Sequence, residues 1–289
     1  MTGIAIAGTG RMGTAYAKRL IECGHAVTVW NRTADRTKAA AETGASVAAD
    51  VAALAGCDVI LVSLTDAAAV GAVVDALIAA GIAGKLVVDL STLLPEETRA
   101  MAARVTAAGA DFVDCPVGGT VAPALKGQLL GMAGGSDAAF ARAKPVLDQL
   151  CKRVEHMGPA GNGAAMKLAV NLPLAVYWST LAEALAMVAG AGIPADLAVS
   201  LLADSSGGPN VLKNRAQVVI DTLNGTDQPG TFDIAGLAKD LALALKQAES
   251  MGQTLPLARG ALDSYRTAQD AGLGRFDGSS LTRHLLGKR

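Results

Sequence analysis

Aromatic side chains are scarce in this sequence, only 3% of its 289 residues, and histidines number three. His25, His156 and His284 are isolated: none pairs with an acid as a lactate-type dehydrogenase needs, and none joins a cluster with metal-ligand spacing. No metal is therefore expected. The four cysteines, Cys23, Cys57, Cys115 and Cys151, form no C-x-x-C pair. That excludes a zinc framework and a dithiol redox motif, and reduced thiols in a cytoplasmic protein are the expectation. G-x-S-x-G is absent, so a hydrolase elbow has no support. No Walker lysine follows the first glycines, which argues against phosphoryl transfer. Charge of neither sign dominates: 25 Lys and Arg stand against 26 Asp and Glu. Such a chain has no global field to draw nucleic acid or an anionic membrane, and its basic end, Gly287-Lys288-Arg289, reads as a solvated tail. The start shows no basic n-region of a signal peptide. Fixed-period repeats and low-complexity tracts are also lacking, beyond a general richness in alanine.

What is present is hydrophobic, 51% of the residues, with 33 glycines. A chain of this length buries a large core and suggests one or two domains. The organising stretch is Ile4-Ala5-Ile6-Ala7-Gly8-Thr9-Gly10-Arg11-Met12-Gly13. An apolar run reads as a buried strand, then three glycines fall in G-x-G-x-x-G spacing, and a helical stretch follows over 14–22. Gly8 permits the tight turn, Gly10 lets backbone approach a pyrophosphate, and Gly13 lets helix and strand pack closely. The free N–H groups of the new helix, with Thr9, Arg11 and Met12 around them, hold the phosphates.

A second strand, His25 to Trp30, leads to Asn31-Arg32-Thr33. An NAD-type fold places an acid near this point to bind the ribose 2′-hydroxyl. Here an amide stands there, followed by a guanidinium, which clasps a 2′-phosphate that an acid would repel. NADP(H) is therefore favoured over NAD(H), with Arg36 assisting; Asp35 beyond the strand end is a mild objection. The alternative is that Arg32 merely decorates a solvated loop.

Strands and helices then alternate: strands over 57–64, 86–90, 111–114, 128–132 and 153–156, helices over 67–80, 95–108 and 137–150. This alternation predicts a doubly wound Rossmann sheet with helices on both faces, and ligands at the carboxyl ends of its strands. The loops there hold Leu64-Thr65-Asp66, Ser91-Thr92 and Pro116 to Thr120. Thr92 either sits beside the nicotinamide ribose or simply starts a helix. Near Gly158 the character changes. Beyond a glycine-rich linker, 158–163, strands nearly vanish and helices are expected over 164–192, 194–203, 210–223, 233–250 and 256–271. We therefore expect an α/β fold of two domains: a dinucleotide-binding domain over 1–162 and an all-α domain over 163–289, which opens with a long interdomain helix. The apolar part of that helix is interrupted by Asn171 and Pro173. Its charge-free run from Leu168 ends at Glu183 after about 15 residues, short of a bilayer span.

Lys167 stands one turn into the long helix among Ala164, Ala165, Met166, Leu168 and Ala169, and Asn171 shares its face. Desolvation lowers an ammonium's pKa and readies it for proton transfer; a snorkelling surface lysine is the plainer reading. Asn171 either anchors Lys167 or a substrate oxygen, or packs. Lys239, followed by Asp240, meets cofactor or substrate, or is an ordinary exposed residue.

Four motifs together resemble the β-hydroxyacid dehydrogenase family, relatives of 3-hydroxyisobutyrate dehydrogenase and tartronate semialdehyde reductase. They are G-T-G-R-M-G from Gly8, D-C-P-V-G-G-T from Asp114, G-x-G-x-x-x-K-x-x-x-N from Gly161, and Lys239-Asp240-Leu241 with Phe232 seven residues earlier. The resemblance spans nearly the whole chain. It implies that Lys167 is the proton donor when a carbonyl is reduced, that Asn171 binds substrate beside it, and that Thr92 and Lys239 touch the nicotinamide end of the cofactor. It also implies a site in an interdomain cleft and a homodimer or homotetramer joined through the helical domain. One departure stands out. The family's substrate motif carries serine where this chain has Gly118, and often glycine where it has Thr120. Backbone N–H groups around Gly118 and Gly119, helped by Thr120, then take over carboxylate binding, and Trp178 and Tyr177 shape a more apolar pocket, unless they are core. Imine reductases share the fold, the Trp-Asn-Arg-Thr feature and NADPH preference, but replace the lysine. The expected function is NADPH-dependent interconversion of small aldehyde or keto acids and 3-hydroxyacids. Imine reduction and a non-catalytic NADPH-binding module are the alternatives.

Overall fold

The computed structural model describes residues 3–287. The tail residues Lys288 and Arg289 lie outside them. By contact the chain falls into two compact units, Met1–Lys167 and Leu168–Arg289.

The first unit is built on a sheet. In chain order its elements are β1 (Ile4–Ala7), α1 (Arg11–Glu22), β2 (Val27–Trp30), α2 (Lys38–Ala41), β3 (Ser46–Val47), β4 (Val59–Val62), α3 (Ala67–Ala80), β5 (Leu86–Asp89), α4 (Pro95–Ala107), β6 (Asp111–Asp114), β7 (Val117–Gly118), α5 (Val121–Leu125), β8 (Leu129–Gly135), α6 (Asp137–Leu150) and β9 (Cys151–His156). Among the described residues the sheet has nine strands in the order β3-β2-β1-β4-β5-β6-β8-β7, with β9 pairing β8. From β3 to β6 every neighbour is parallel; β8 runs antiparallel to β6 and β7. This is the doubly wound arrangement that the alternating pattern predicts.

Strand β1 shows why. All four of its residues are buried, as a central parallel strand covered on both faces requires. Its period of two sends Ile4 and Ile6 into a core with Tyr16, Leu20, Leu147 and Leu150 from α1 and α6. Ala5 and Ala7 face the opposite core, with Val70, Val74 and Leu77 of α3 and Val105 of α4. Helix starts are capped from nearby: Asp66 accepts from Ala69 N–H at 2.9 Å, and Ser136 accepts from Ala139 N–H at 3.1 Å. Helix α4 opens on Pro95, and Glu97 accepts from Leu94 N–H at 2.9 Å.

Helix α7 (Asn162–Val188) leaves the sheet and runs into the second unit, where α8 (Ala195–Asp204), α9 (Asn210–Leu223), α10 (Ile234–Ser250), α11 (Pro256–Asp270) and α12 (Ser280–Leu285) follow. The core of this unit gathers Trp178, Leu181, Leu185, Leu237, Leu241 and Tyr265. Buried Tyr265 donates its hydroxyl to the Ala175 carbonyl at 2.9 Å. Pro173 is absorbed within α7. With 27 residues, α7 is longer than its charge-free run and, by length and composition alone, apolar enough to cross a membrane. Core helices of water-soluble proteins pass the same test, and 44% of its most apolar window is buried inside the molecule.

Several elements differ from the expectation. Helix α1 begins at Arg11, three residues early, because the N–H groups past Gly10 already turn helically. The 116–120 stretch, expected as a loop, contains β7, whose Gly118 pairs Leu130 of β8. Short β3, α2, α5 and α12 carry too little periodicity to be seen in sequence.

A candidate cofactor and active site at the carboxyl edge of the sheet

The turn after β1 is shaped by its glycines. Gly8 has φ +104°, and a Cβ there would stand 2.2 Å from the Ser63 carbonyl oxygen. A Cβ at Gly13 would stand 1.9 Å from the Gly8 carbonyl oxygen, so α1 packs directly on the turn. Gly10, by contrast, has nothing within 4 Å of its Cβ position. Two glycines are demanded by packing and the middle one faces open space, as a motif that lets a phosphate approach requires. Arg11, Met12 and Gly13 form the first turn of α1, whose N–H groups have no intrahelical acceptor. The 12-residue helix has no side-chain cap at Gly10.

Thr9 and Asn31 hold this turn in place. Buried Thr9 donates its hydroxyl to the Arg36 carbonyl at 2.9 Å. Its N–H reaches Asn31 Oδ1 at 3.2 Å, while Asn31 Nδ2 donates to the Thr33 carbonyl at 2.9 Å. The Asn31 amide thus uses both its ends to join the glycine turn to the loop after β2.

Beyond it opens a cavity of about 290 Å³, bordered by Gly10, Trp30, Asn31, Arg32, Thr33 and Arg36 on one side and by Ser63, Leu64 and Thr65 on the other. Both guanidinium residues are solvent-exposed at its rim. Asp35, the acid that spoke against a 2′-phosphate, is paired with Lys38 at 2.8 Å on the surface. Val51, Ala69, Ala72 and Val73 complete the walls. Sequence reading missed them because they come from separate elements, and small apolar residues carry no motif. The residues present fit a dinucleotide: N–H groups for the pyrophosphate, a slot for a flat ring, and cations at the rim.

The next loops along the edge are tied together. Buried Asp89, the last residue of β5, accepts from Ser91 N–H at 2.9 Å, and Ser91 Oγ accepts from Leu64 N–H at 3.0 Å. Half-buried Thr92 follows directly. Gly118 departs from the expectation. Met132 N–H bonds the Pro116 carbonyl at 3.2 Å, and the alternation of antiparallel pairing makes Gly118 opposite Leu130 the next hydrogen-bonded position. Its N–H is therefore committed to the ladder and is no free donor. Gly119, at φ +118°, and Thr120, which precedes α5, lie past the ladder.

Helix α7 brings Lys167 to its second turn, and the lysine is only 8% exposed. Met166 beside it is 42% exposed and Val170 38%. The helix thus buries its lysine and shows its methionine to solvent, the reverse of the polarity that burial favours. The snorkelling alternative does not describe this residue. Among the helical-unit residues, Asn171 is buried and donates its Nδ2 to Asp240 Oδ2 at 2.6 Å. Lys239 Nζ lies 3.7 Å from Asp240 Oδ1. Asp240 therefore orients the Asn171 amide, a role its place beside Lys239 did not reveal. Trp178 is 3% exposed in the helical core, with its indole nitrogen 3.0 Å from the Cβ position of Gly278. Phe232, half-buried, packs on Gly236 at the start of α10. Burial pushes the Cys115 thiol well up and that of Cys151 up to about 12, so neither supplies a thiolate near neutral pH. Among the described residues no group of three or more His, Cys, Asp or Glu is placed to hold a metal ion.

Comparison with known proteins matches this layout in two parts. Residues 3–158 match the model of the NAD binding domain of 6-phosphogluconate dehydrogenase. Residues 161–285 match that of the NAD-binding of NADP-dependent 3-hydroxyisobutyrate dehydrogenase. Glyoxylate/succinic semialdehyde reductase 1 of Arabidopsis thaliana is 31% identical over 96% of this chain and 96% of its own. The chain belongs to the β-hydroxyacid dehydrogenase family. Its members supply the close structural neighbours as well. The 3-hydroxyisobutyrate dehydrogenase of Mycobacterium tuberculosis, solved with L-serine, superposes with a TM-score of 0.88 at 29% identity, covering 99% of both chains. The imine reductase of Myxococcus stipitatus, solved with NADP+, reaches 0.66 at 24% identity over 98% of this chain and 99% of its own, a likeness of fold alone. A β-hydroxyacid dehydrogenase is an oxidoreductase with a nicotinamide cofactor.

Proposed function

We propose that this protein is an NADPH-dependent reductase of small aldehyde or keto acids, working in reverse as a 3-hydroxyacid dehydrogenase, with Lys167 as proton donor. The observation that carries the reading is the buried lysine on an apolar helix that turns its methionine outward. Burying an ammonium is costly, and a site that uses its proton is the economical reason to do so.

When bound, the dihydronicotinamide supplies the hydride that reaches the carbonyl carbon. The chain's own residues do the rest. The N–H groups at the start of α1 hold the pyrophosphate, and Arg32 and Arg36 grip the 2′-phosphate at the cavity rim. Lys167 Nζ gives its proton to the carbonyl oxygen as negative charge grows there, leaving a hydroxyl on the product and a neutral amine. Asn171, with its NH₂ held by Asp240, presents its carbonyl oxygen to a substrate hydroxyl or to the lysine. Thr92 and Lys239 contact the nicotinamide end. The N–H groups of Gly119 and Thr120 and the Thr120 hydroxyl bind the substrate carboxylate, and Phe232 contributes an apolar edge. The small carbonyl substrates named for the relatives support this substrate class. We also infer a cytoplasmic homodimer or homotetramer: Met187, Leu197 and Leu201 of the helical unit are 88%, 49% and 63% exposed, and light scattering tests it.

One observation favours imine reduction as a second activity. Gly118 brings no hydroxyl and its N–H is engaged, which weakens the demand for a carboxylate. NADPH oxidation against glyoxylate, succinic semialdehyde, tartronate semialdehyde and cyclic imines distinguishes these readings. Lys167→Ala should cut turnover by at least about a hundredfold with little change in NADPH affinity. Retained turnover removes the lysine from the mechanism, and no turnover on any substrate leaves a nucleotide-binding module.

A further inference from the structure

Helix α7 has no side-chain cap from the residue before it. The residue before it, Gly161, has no side chain, and the first N–H groups of a helix find no acceptor within it. The acceptor comes from far away in sequence. Asp114, the last residue of β6, is 1% exposed. Its Oδ1 accepts from Gly161 N–H at 2.8 Å and its Oδ2 from Ala164 N–H at 2.8 Å, and Gly163 N–H also points to it. The carboxylate sits at the positive end of a 27-residue helix.

The surroundings are cut to fit it. A Cβ on Gly134 would stand 2.6 Å from Oδ1; one on Gly163 would stand 2.8 Å from Oδ2 and 2.2 Å from the Met132 carbonyl oxygen. The carboxylate and these two glycines leave the helix start a single seat against the strand ends. Lys167 lies three residues past Ala164, about one turn beyond the clamp.

We infer that Asp114 is a positioning residue: by gripping two backbone N–H groups at the start of α7, it sets the place and rotation from which Lys167 reaches its substrate. Burial supports this reading through its cost. It pushes the Asp114 carboxyl up to about 6 in spite of the N–H donors that oppose the shift, so the ionised form burdens the folded state. A side-chain cap from the position before the helix is excluded, because Gly161 has φ +90° and a Cβ there would stand 2.8 Å from the Pro95 carbonyl oxygen. A buried charge kept against stability is typical of a residue that serves geometry.

The inference rests on the proposed role of Lys167, and the test separates the two. Asp114→Asn keeps the side chain's size and one acceptor oxygen, but turns an NH₂ group toward the second N–H. Turnover is measured with NADPH and the best carbonyl substrate, and kcat is counted per NADPH-binding site so that unfolded protein does not register. The expected result is a kcat lower by about ten- to a hundredfold, since a displacement of about 1 Å costs that much, with NADPH Kd and substrate KM within about threefold of wild type. A kcat per site within about twofold of wild type overturns the inference, because a merely structural clamp changes only the number of sites. If Lys167→Ala is inactive while Asp114→Asn is intact, the positioning role alone falls. If Lys167→Ala retains turnover, the reading of the lysine falls first. Should Asp114→Asn fail to fold, amide exchange of the wild-type protein decides: Gly161 and Ala164 N–H must be protected at neutral pH, and exchange at unprotected rates overturns the clamp.

Discussion

Removing the guanidinium of Arg32 is the most direct test of cofactor choice. Arg32 and Arg36 border the same cavity as Gly10 and Thr65, on the loop that follows β2. A hydrogen bond between charged partners contributes about 1.5–3 kcal/mol. Both arginines are exposed, so solvent screening brings the figure to the lower end, about 1.5 kcal/mol for one of them. That corresponds to roughly a tenfold rise in the NADPH Kd for Arg32→Ala. NADH has no 2′-phosphate, so its Kd should move by less than about twofold. Removing Arg36 as well should add less than a second tenfold, because both side chains grip one phosphate and their effects are not additive. The assay is a titration of nucleotide fluorescence at two ionic strengths. Salt should narrow the gap between the two nucleotides in the wild type and leave it unchanged in the double variant. Equal loss for NADPH and NADH, or tighter binding of NADH by the wild type, would refute the 2′-phosphate clasp.

Neighbouring glycines should behave oppositely. Gly119→Ala places a Cβ 2.7 Å from Leu129 Cδ2 at φ +118°, and should cost about 1–3 kcal/mol in chemical denaturation. At Gly118 the nearest atom is Leu130 Cβ at 3.5 Å, so Gly118→Ser should leave stability within about 0.5 kcal/mol. If the substrate carries a carboxylate, the added hydroxyl should also lower its KM; an unchanged KM speaks for a substrate without one. Tyr265→Phe removes the hydroxyl's bond to the Ala175 carbonyl and should lower stability by about 1 kcal/mol without altering NADPH affinity. Asp114 should leave a mark on the pH dependence of stability. Its folded pKa, about 6, lies above the ordinary 3.8, so the folded chain holds a proton that the unfolded chain has released. Its contribution is then fully present below about pH 4 and is lost as pH rises to about 6, on the order of 3 kcal/mol in all. Denaturation of wild type and Asp114→Asn across this range should show that slope in the former alone.

Much of the first unit was legible because its helices and strands obey strong local rules. The helix over 67–80 starts after a capping aspartate and stops at Gly81, and the strand over 111–114 and the helix over 137–150 carry similar punctuation. Strand β7 and helix α5 escaped because two to five residues hold no period; their shape comes from pairing with β8 and from packing on α1. In the site, Lys167 was visible from its apolar company, but the direction in which it points was not. Asp114 was visible only as the first letter of a motif. Its partners lie 47 and 50 residues on, and no spacing rule connects a strand end to a helix start across three strands and two helices. Trp178 was legible as either a pocket wall or core, and its packing places it in the core. An indole near a site attracts attention, yet the helical unit spends it on its own core.

The two-ended amide of Asn31 limits how the nucleotide preference of this chain is to be engineered. An aspartate at that position, the usual route toward NADH, keeps an acceptor for Thr9 N–H but loses the donor that serves the Thr33 carbonyl. The loop bearing both rim cations would stay tied to the glycine turn through Thr9, but would lose the inner bond that fixes its bend at Thr33. Redesign must therefore supply a new tether for Thr33 in the same step, or it will trade one nucleotide for a weaker hold on both.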